Sequence, residues 1–363
     1  MSSPLRFPVG DSTWAVDVPA DKWVPVERGD VTTVSATPSE LLRAALAKPT
    51  GLGVPLRTAF TPDDRVAVVL DDKLPHLNEL LSELLAEVQA GGVPLSAVTV
   101  VVPPTASEDW VDDLPDELGD IHAETHDPTD VKRVAFLGPS STGRLVYLNR
   151  TVVEADFVIV LCGRRFAAWG GYDGAEASLF PALSNAETLG GISTAATRKV
   201  ESEAVAFQLG TPFYVQIIEG PGDTVAEVVA GIGDVTTDGR KRQKARWSGR
   251  VTEKADLVIV GTGPVSADEF AVAVANGRKC LADGGRLVIL TSAADSVLSA
   301  KPPWGEDEQV FVGSGWDEEK LDDLGVIRLG SERELARLVA SAERVIALSD
   351  AYKMRVRIGE PGS

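Results

Sequence analysis

Charged side chains stand directly after two apolar segments that have the length of buried strands. Asp71 and Asp72 follow the first segment, and Arg164 and Arg165 follow the second. A carboxylate at a strand end can bind a metal, orient a hydroxyl group or cap the next helix, and for this pair the functional and capping interpretations are equally open. Paired arginines can clamp a carboxylate or phosphate, although an ion pair with Asp or Glu is favoured in so acidic a chain.

A glycine-rich stretch, Gly170–Thr194, begins shortly after the two arginines and contains no His, Lys or Cys. Its ionisable side chains include Tyr172, Asp173 and Glu176. These three residues and Asp72 are the candidate catalytic residues, and Asp173 or Glu176 would serve as the base.

The apolar segments alternate with helical patterns and predict an α/β fold. A strand at 65–70, a helix at 77–90 and a strand at 97–102 form a unit that implies parallel pairing. Further segments repeat the pattern: strands at 155–161, 213–218, 256–260, 286–290 and 344–348, and helices at 266–281 and 331–341. Their almost continuously apolar strands indicate sheets that are covered by helices on both faces.

We expect two domains, residues 1–245 and a smaller domain at 246–350, with a tail at 351–363 that returns to the first domain. Ligands of open α/β sheets bind outside the carboxyl ends of the strands. We therefore expect a cleft between the domains, and the candidate ligand-binding residues there are Asp71, Arg164, Arg165, Thr105 and Ser193.

Composition limits the classes of partner and the compartment. The formal net charge of −19 disfavours nucleic acid. The sequence has neither a signal-peptide pattern nor an apolar run near the roughly 18 residues that span a bilayer, so we expect a cytoplasmic protein without a membrane contact. Cys162 and Cys280 are predicted to be buried free thiols.

Three other motifs give weak signals. Gly261-Thr-Gly-Pro264 lacks the third glycine of a dinucleotide fingerprint. His122 and His126 have a spacing that could serve a metal on a helix, but a loop with solvated histidines is favoured. The basic run at 240–246 is interpreted as a solvated loop or helix face near a domain junction.

Many of these segments resemble the LarA-like family, the nickel-pincer lactate racemases. The most specific similarity is a middle stretch that includes His126–Asp130, Leu148–Arg150 and Glu154–Asp156. The remaining matches are Phe7–Gly10 with Val16–Pro19 as an opening hairpin, 41–48, 53–56, Asp71-Asp72, Leu137-Gly138, Gly143 and 282–285. The resemblance implies a two-domain α/β fold and a nicotinate-derived pincer that carries nickel, is tethered through a lysine and shuttles hydride on a 2-hydroxy acid.

The resemblance also implies that the functional residues of the family have been replaced. Histidine or lysine positions of the family are occupied here by Ala106, Ala167, Ala177, Ser193 and Val274. Ala177 stands where the tethering lysine is implied, and Ser193 stands where a nickel-binding histidine is implied. A methyl group can neither form the tether nor donate a lone pair to nickel.

Two functions follow as hypotheses. The first is a LarA-like protein without pincer-dependent racemase activity, which holds no metal or cofactor and binds a small carboxylate or hydroxy acid. The alternative is an isomerase or lyase that acts on a 2-hydroxy acid or related carboxylate through Asp, Glu and Arg residues of the same cleft. A homo-oligomer is left open.

Overall fold

The computed structural model describes residues 4–29, 35–106, 109–112, 114–119, 121–140, 142–166, 175–191, 195–298, 303–305 and 308–359. The chain forms two compact units. One, the continuous unit, comprises Thr32–Gln243, and the other, the split unit, comprises Met1–Val31 and Lys244–Ser363. The fold is mixed α/β in both units.

The continuous unit is built on a six-stranded sheet. In chain order its strands are β4 (Val66–Leu70), β5 (Val98–Val102), β6 (His122–Thr125), β9 (Phe157–Gly163), β10 (Phe213–Glu219) and β11 (Val225–Gly231). In space the order is β11-β10-β9-β4-β5-β6, and every pair is parallel except β10 with β11. A separate hairpin joins β7 (Val134–Pro139) to β8 (Leu145–Asn149).

Helices cover this sheet because their apolar residues recur at helical spacing. The helices are α1 (Pro38–Ala47), α2 (Leu77–Ala90), α3 (Asp109–Asp112), α4 (Arg150–Glu154), α5 (Ala186–Gly191), α6 (Ala195–Gln208) and α7 (Val235–Trp247), which leads into the split unit. Leu80, Leu81, Leu84 and Leu85 of α2 are fully buried against the sheet. Each such leucine stabilises the fold by roughly 1.5–3 kcal/mol, which is why the predicted helix and the observed one coincide.

The split unit contains a second parallel sheet, of five strands. Its strands are β13 (Ala255–Thr262), β14 (Leu281–Thr291), β15 (Gln309–Gly313), β16 (Ile327–Arg328) and β17 (Val345–Leu348), in the spatial order β16-β15-β14-β13-β17. Its helices are α8 (Ala267–Cys280), α9 (Glu318–Asp323) and α10 (Glu332–Ser341). The Ser266 hydroxyl accepts the Glu269 N–H and so caps α8.

The split unit combines residues from the first and the last segments of the chain. This finding corrects the expected domain bounds. The hairpin of β1 (Leu5–Val9) and β2 (Ser12–Val16) packs in the core of this unit, although residues 1–245 were assigned to the first domain. A three-stranded sheet places β12 (Ser248–Val251) between β3 (Glu27–Arg28) and β18 (Arg355–Ile358).

The expected return of the tail to the first domain is also wrong for its described residues. β18 pairs with β12 in parallel. The buried amide of Asn276 in α8 donates to the carbonyls of Ala351 and Met354, at 3.0 and 2.7 Å, and accepts the Val356 N–H at 3.3 Å. These three bonds satisfy a buried polar side chain and fix the tail within the split unit.

The glycine at the start of the Gly261-Thr-Gly-Pro264 motif has a packing role. The Phe7 ring, which is fully buried, lies against the Gly261 backbone, and a Cβ atom built on Gly261 would be 2.3 Å from the Phe7 Cδ1. A Cβ on Gly263 would meet no atom within 4 Å. Close approach of the opening hairpin to β13 therefore accounts for Gly261 without a dinucleotide.

We predict that Gly261→Ala lowers the free energy of unfolding by about 1–3 kcal/mol, because the new methyl group overpacks the site. Phe7→Ala alone should cost about 3–5 kcal/mol. In the double variant the loss of unfolding free energy should be smaller than the sum of the two single losses. The alanine at position 7 leaves space for the new methyl group at position 261. Urea unfolding of the four proteins measures this coupling.

Gly263→Ala is the matched control in the same motif and should leave stability within about 0.5 kcal/mol of the unsubstituted protein. Strict additivity of the Gly261 and Phe7 substitutions would contradict the packing explanation.

Candidate functional site

An ion-paired cluster joins the carboxyl ends of three neighbouring strands in the continuous unit. The Arg165 guanidinium donates from Nη1 to the Asp71 Oδ2 at 2.6 Å and from Nε to the Glu219 Oε1 at 2.8 Å. Its Nη2 donates to the Lys73 carbonyl at 2.8 Å. Asp71 follows β4, Arg165 follows β9 and Glu219 ends β10, so one side chain links all three strands. We call Asp71, Arg165 and Glu219 the carboxyl-end clamp.

The backbone of β9 completes the clamp. The Gly163 N–H donates to the Asp71 Oδ2 at 3.1 Å, and the Lys73 N–H donates to Oδ1 at 3.1 Å. A Cβ atom on Gly163 would be 2.9 Å from the Arg165 Cζ. Glycine at the end of β9 therefore leaves the space in which the guanidinium lies.

These contacts decide between the interpretations of the two charged pairs. The ion-pair interpretation is confirmed for Arg165. Capping by an acidic side chain is not observed at α2, whose N-cap residue is His76 and which has no side-chain cap hydrogen bond. Burial raises the pKa of the Asp71 carboxyl, but the Arg165 charge and the Gly163 and Lys73 N–H donors outweigh burial and hold that pKa below its ordinary value of 3.8.

A second, buried set of side chains lies near the end of β9 and comprises Cys162, Arg164 and Glu176. Burial raises the pKa of the Cys162 thiol to about 12, while the Arg164 charge opposes this and the charges of Asp71 and Glu176 reinforce it. Arg164 and Glu176 are almost completely buried, and the Arg164 Nη2 donates to the Thr236 carbonyl at 3.5 Å. Arg164 thus points into the protein interior, not toward an exposed anion site.

The remaining candidates fall into two groups. Asp72 is half-buried in the turn after β4, and Thr105 is exposed in the turn after β5. Tyr172, Asp173 and Ser193 lie outside the described residues. Sequence reasoning missed two members of this edge, Glu219 and Lys73, although both stand at or just beyond the carboxyl end of a predicted strand, which is the signal that would have found them.

The substituted family positions that the structure describes are apolar in environment as well as in type. The Ala106 methyl packs against the hydrophobic core around α2. Val274 is fully buried in α8. Ala177 is half-buried in a short 3-10 helix, Ala175–Ser178, whose neighbour Ala175 belongs to the core on the opposite face of the sheet. Ala167 lies outside the described residues.

The middle stretch that carries the resemblance forms a buried polar network. The His126 Nε2 donates to the Ser184 carbonyl at 3.0 Å, and the Asn149 Nδ2 lies 3.4 Å from the His126 Nδ1. The Asn149 amide also donates to Glu124 at 2.6 Å, and its carbonyl accepts the Val152 N–H at 3.1 Å to cap α4. This network holds the backbone in place. The most specific part of the resemblance therefore reflects the fold of the family.

The expectation of a loop with two solvated histidines is therefore wrong. His122 begins the short strand β6 and is exposed, whereas His126 is only 1% exposed. The acidic residues around them hid the strand, because β6 lies at the sheet edge, where polar side chains are tolerated.

Comparison with known proteins agrees with this architecture. The family model of the lactate racemase N-terminal domain matches residues 9–203, more than half of the chain. The structure of the lactate racemase apoprotein from Thermoanaerobacterium thermosaccharolyticum aligns with a TM-score of 0.71 and 14% identity, over 98% of this chain and 100% of that chain. A structural-genomics crystal structure of a protein from Thermotoga maritima aligns with a TM-score of 0.60 and 11% identity, over 92% of this chain and 100% of that chain. Comparison with curated proteins gives no match.

Two mostly parallel sheets with flanking helices, the first with a polar cluster at the carboxyl ends of its strands, define a two-domain α/β protein. The chain belongs to the lactate racemase family. The opening hairpin implied by the resemblance is confirmed as β1 and β2. Among the helices of the described ranges, none is long and apolar enough to cross a membrane.

The resemblance implies that two described residues, Ala177 and Ala106, occupy positions of the family's nickel-pincer site. Its tether would need an amine at Ala177, and its acid/base chemistry would need an imidazole at Ala106. In the part of the chain that the structure describes, no group of three or more His, Cys, Asp or Glu side chains could hold a metal.

We predict that Asp71→Asn lowers the free energy of unfolding at pH 7 by about 2 kcal/mol, because it removes charge-assisted hydrogen bonds of the clamp. Since the folded-state pKa of Asp71 is lowered, its contribution is fully present above the ordinary pKa of 3.8 and is lost as the pH falls through the folded-state value. The stability gap between D71N and the unsubstituted protein should therefore narrow as the pH approaches about 3.

Urea unfolding as a function of pH measures this gap. Asp63→Asn, which removes the same charge from an exposed residue of the same unit, is the control and should change stability by less than about 0.5 kcal/mol. A gap for D71N that stays constant from neutral to acidic pH would contradict the role of the clamp.

Proposed function

We propose that this member of the lactate racemase family does not racemise through a nickel pincer and instead binds a small carboxylate or 2-hydroxy acid at the carboxyl end of the sheet in the continuous unit. The observation that carries the proposal is the environment of the substituted positions. Ala106 packs on a hydrophobic core, and Val274 is fully buried. A lysine or histidine at these positions would place a polar group in apolar packing that offers it no hydrogen-bond partner.

The state of the clamp bears on which residue could act as a base. Arg165 is engaged by two carboxylates and a backbone carbonyl, and Asp71 is held ionised by that pairing. A carboxylate with a lowered pKa is a weak general base at neutral pH. The alternative of an isomerase or lyase would therefore need a base other than Asp71, and its candidates stay Asp173 and Glu176.

The ligand is assigned to the edge formed by β4 and β5. These strands are parallel neighbours, and Lys73 and Thr105 each stand three residues beyond the last residue of their strand. Both side chains are exposed. An ammonium group and a hydroxyl at one sheet edge are suited to bind the carboxylate and the hydroxyl of a 2-hydroxy acid.

The first test concerns the cofactor. Protein purified from cells that make the pincer and are supplied with nickel should contain far less than one nickel per chain by elemental mass spectrometry. Its intact mass should equal that of the bare polypeptide, and it should not interconvert D- and L-lactate. A stoichiometric lysine-linked adduct would overturn the proposal. A lactate racemase of the family, purified from the same cells, shows that the cofactor was available.

The second test concerns the ligand. L-lactate and D-lactate should each bind the purified protein in calorimetric titrations, and Lys73→Gln should weaken binding about tenfold through loss of a charge-assisted hydrogen bond. Thr105→Val should weaken lactate binding but not propionate binding, because propionate lacks the hydroxyl. Lys48→Gln, which removes an exposed lysine elsewhere in the continuous unit, is the matched control. Equal affinities of K73Q, K48Q and the unsubstituted protein would refute the assignment of the site.

A further inference from the structure

A basic cavity lies in the split unit, apart from the carboxyl-end clamp. Its volume is about 430 Å³, which is within the range of small-molecule sites. Four cationic residues line it: Lys244, Arg250, Arg355 and Arg357. The lining among the described residues includes no Asp or Glu and is completed by Ser248, Ile358 and two glycines.

The register of the three-stranded sheet explains why the arginines converge. Ser248 pairs with Arg355, and Arg250 pairs with Arg357. Since side chains alternate between the faces of a strand, these four residues share one face of β12 and β18. The opposite face carries Gly249 and Val356, which are buried. The basic side chains therefore share one face of this small sheet, and Ile358, an exposed residue of the opposite face, also lines the cavity.

The basic run noted in the sequence supplies the fourth cation. Residues 240–246 lie on α7, and Lys244 in its last turn reaches the cavity just before β12 begins at Ser248. The run lies on a helix, but the expectation that it is solvated is wrong in part, because Gln243 and Arg246 are buried. Since β12 begins directly after α7 ends, Lys244 lies close to the arginine face in the chain.

The charge around the cavity is unusual for this protein. The chain has a formal net charge of −19, yet four cations face one cavity. The carboxylate next to them in the sheet is Glu27, the cross-strand neighbour of Arg250 on β3. All four charged side chains that line the cavity in the described part of the chain are cationic. Arginine side chains held on adjacent strands offer forked donors that match phosphate oxygens.

We propose that this cavity binds a small polyanion that carries phosphate groups. Arg250 and Arg355 are half-buried, so their charges are screened less than those of freely solvated side chains. The exposed Arg357 and Lys244 add two more cations to the lining. Long nucleic acids are disfavoured by the net charge of the whole chain, whereas a compact phosphate compound senses mainly the local field.

Titration calorimetry with inorganic pyrophosphate tests the proposal in the full-length protein. We expect saturable binding of one pyrophosphate per chain that weakens as NaCl increases, and a loss of about tenfold or more in affinity in the double variant Arg250→Gln/Arg357→Gln. The matched control is Arg333→Gln/Arg337→Gln on α10, which removes the same charge from exposed residues of the same unit outside the cavity. The control should retain the affinity.

Two further arms define the ligand and guard against misfolding. ADP that binds more tightly than pyrophosphate would identify a nucleotide ligand, the reverse order would identify an inorganic or simpler phosphate, and either order supports the site. The single variant Arg357→Gln changes only an exposed side chain and should weaken binding with an unchanged unfolding transition. Absence of pyrophosphate binding, equal losses in the cavity and control variants, or citrate binding as tightly as pyrophosphate would overturn the proposal.

Discussion

A single guanidinium holds the carboxyl ends of three parallel strands together. Arg165 extends from the end of β9 to Asp71 after β4 and to Glu219 on β10, and two backbone N–H groups complete the coordination of Asp71. Parallel strands leave their last carbonyls and following turns at one edge, and two carboxylates at that edge would repel each other without a cation between them. The Arg165 cation offsets this repulsion and fixes both carboxylates in position. Gly163 leaves the space in which the guanidinium lies.

The scaffold of the family is held by contacts that need no cofactor. The continuous unit is held by leucines of α2 and by the network around His126 and Asn149, and neither depends on a cofactor. Ala106 and Val274 contribute to apolar packing where the resemblance implies a histidine and a lysine. Membership of the lactate racemase family therefore describes the backbone path of this chain, and function has to be argued from the side chains at the strand ends.

Local periodicity in the sequence was sufficient to predict the central strands of both sheets, but not β6, β11, β15 and β16. The leucines of α2 recur at helical spacing, and β4, β5 and β13 are nearly continuous apolar runs, so their burial could be inferred without a structure. The ion pair of Arg165 was also favoured in advance from the acidity of the chain. What it joins could not be predicted, because the strand order that brings β10 beside β9 is a property of the whole sheet.

Two other errors have the same origin in long-range contacts. The burial of His126 depends on Ser184 and Asn149, which are distant in sequence. The assignment of the opening hairpin to the first domain failed because Phe7 packs on Gly261, and no local pattern reports such a contact. Tyr172, Asp173, Ala167 and Ser193 lie outside the described residues, so their roles stay predictions.

The split unit also bears on the order in which the protein folds. All residues of the continuous unit are consecutive, so its contacts close loops within about two hundred residues. The small sheet of the split unit instead forms only when β12 pairs with both β3 and β18, which are far from it along the chain. Contacts of such sequence separation form slowly. During synthesis, the hairpin that carries Phe7 emerges long before Gly261, and its apolar face stays uncovered until the later strands arrive.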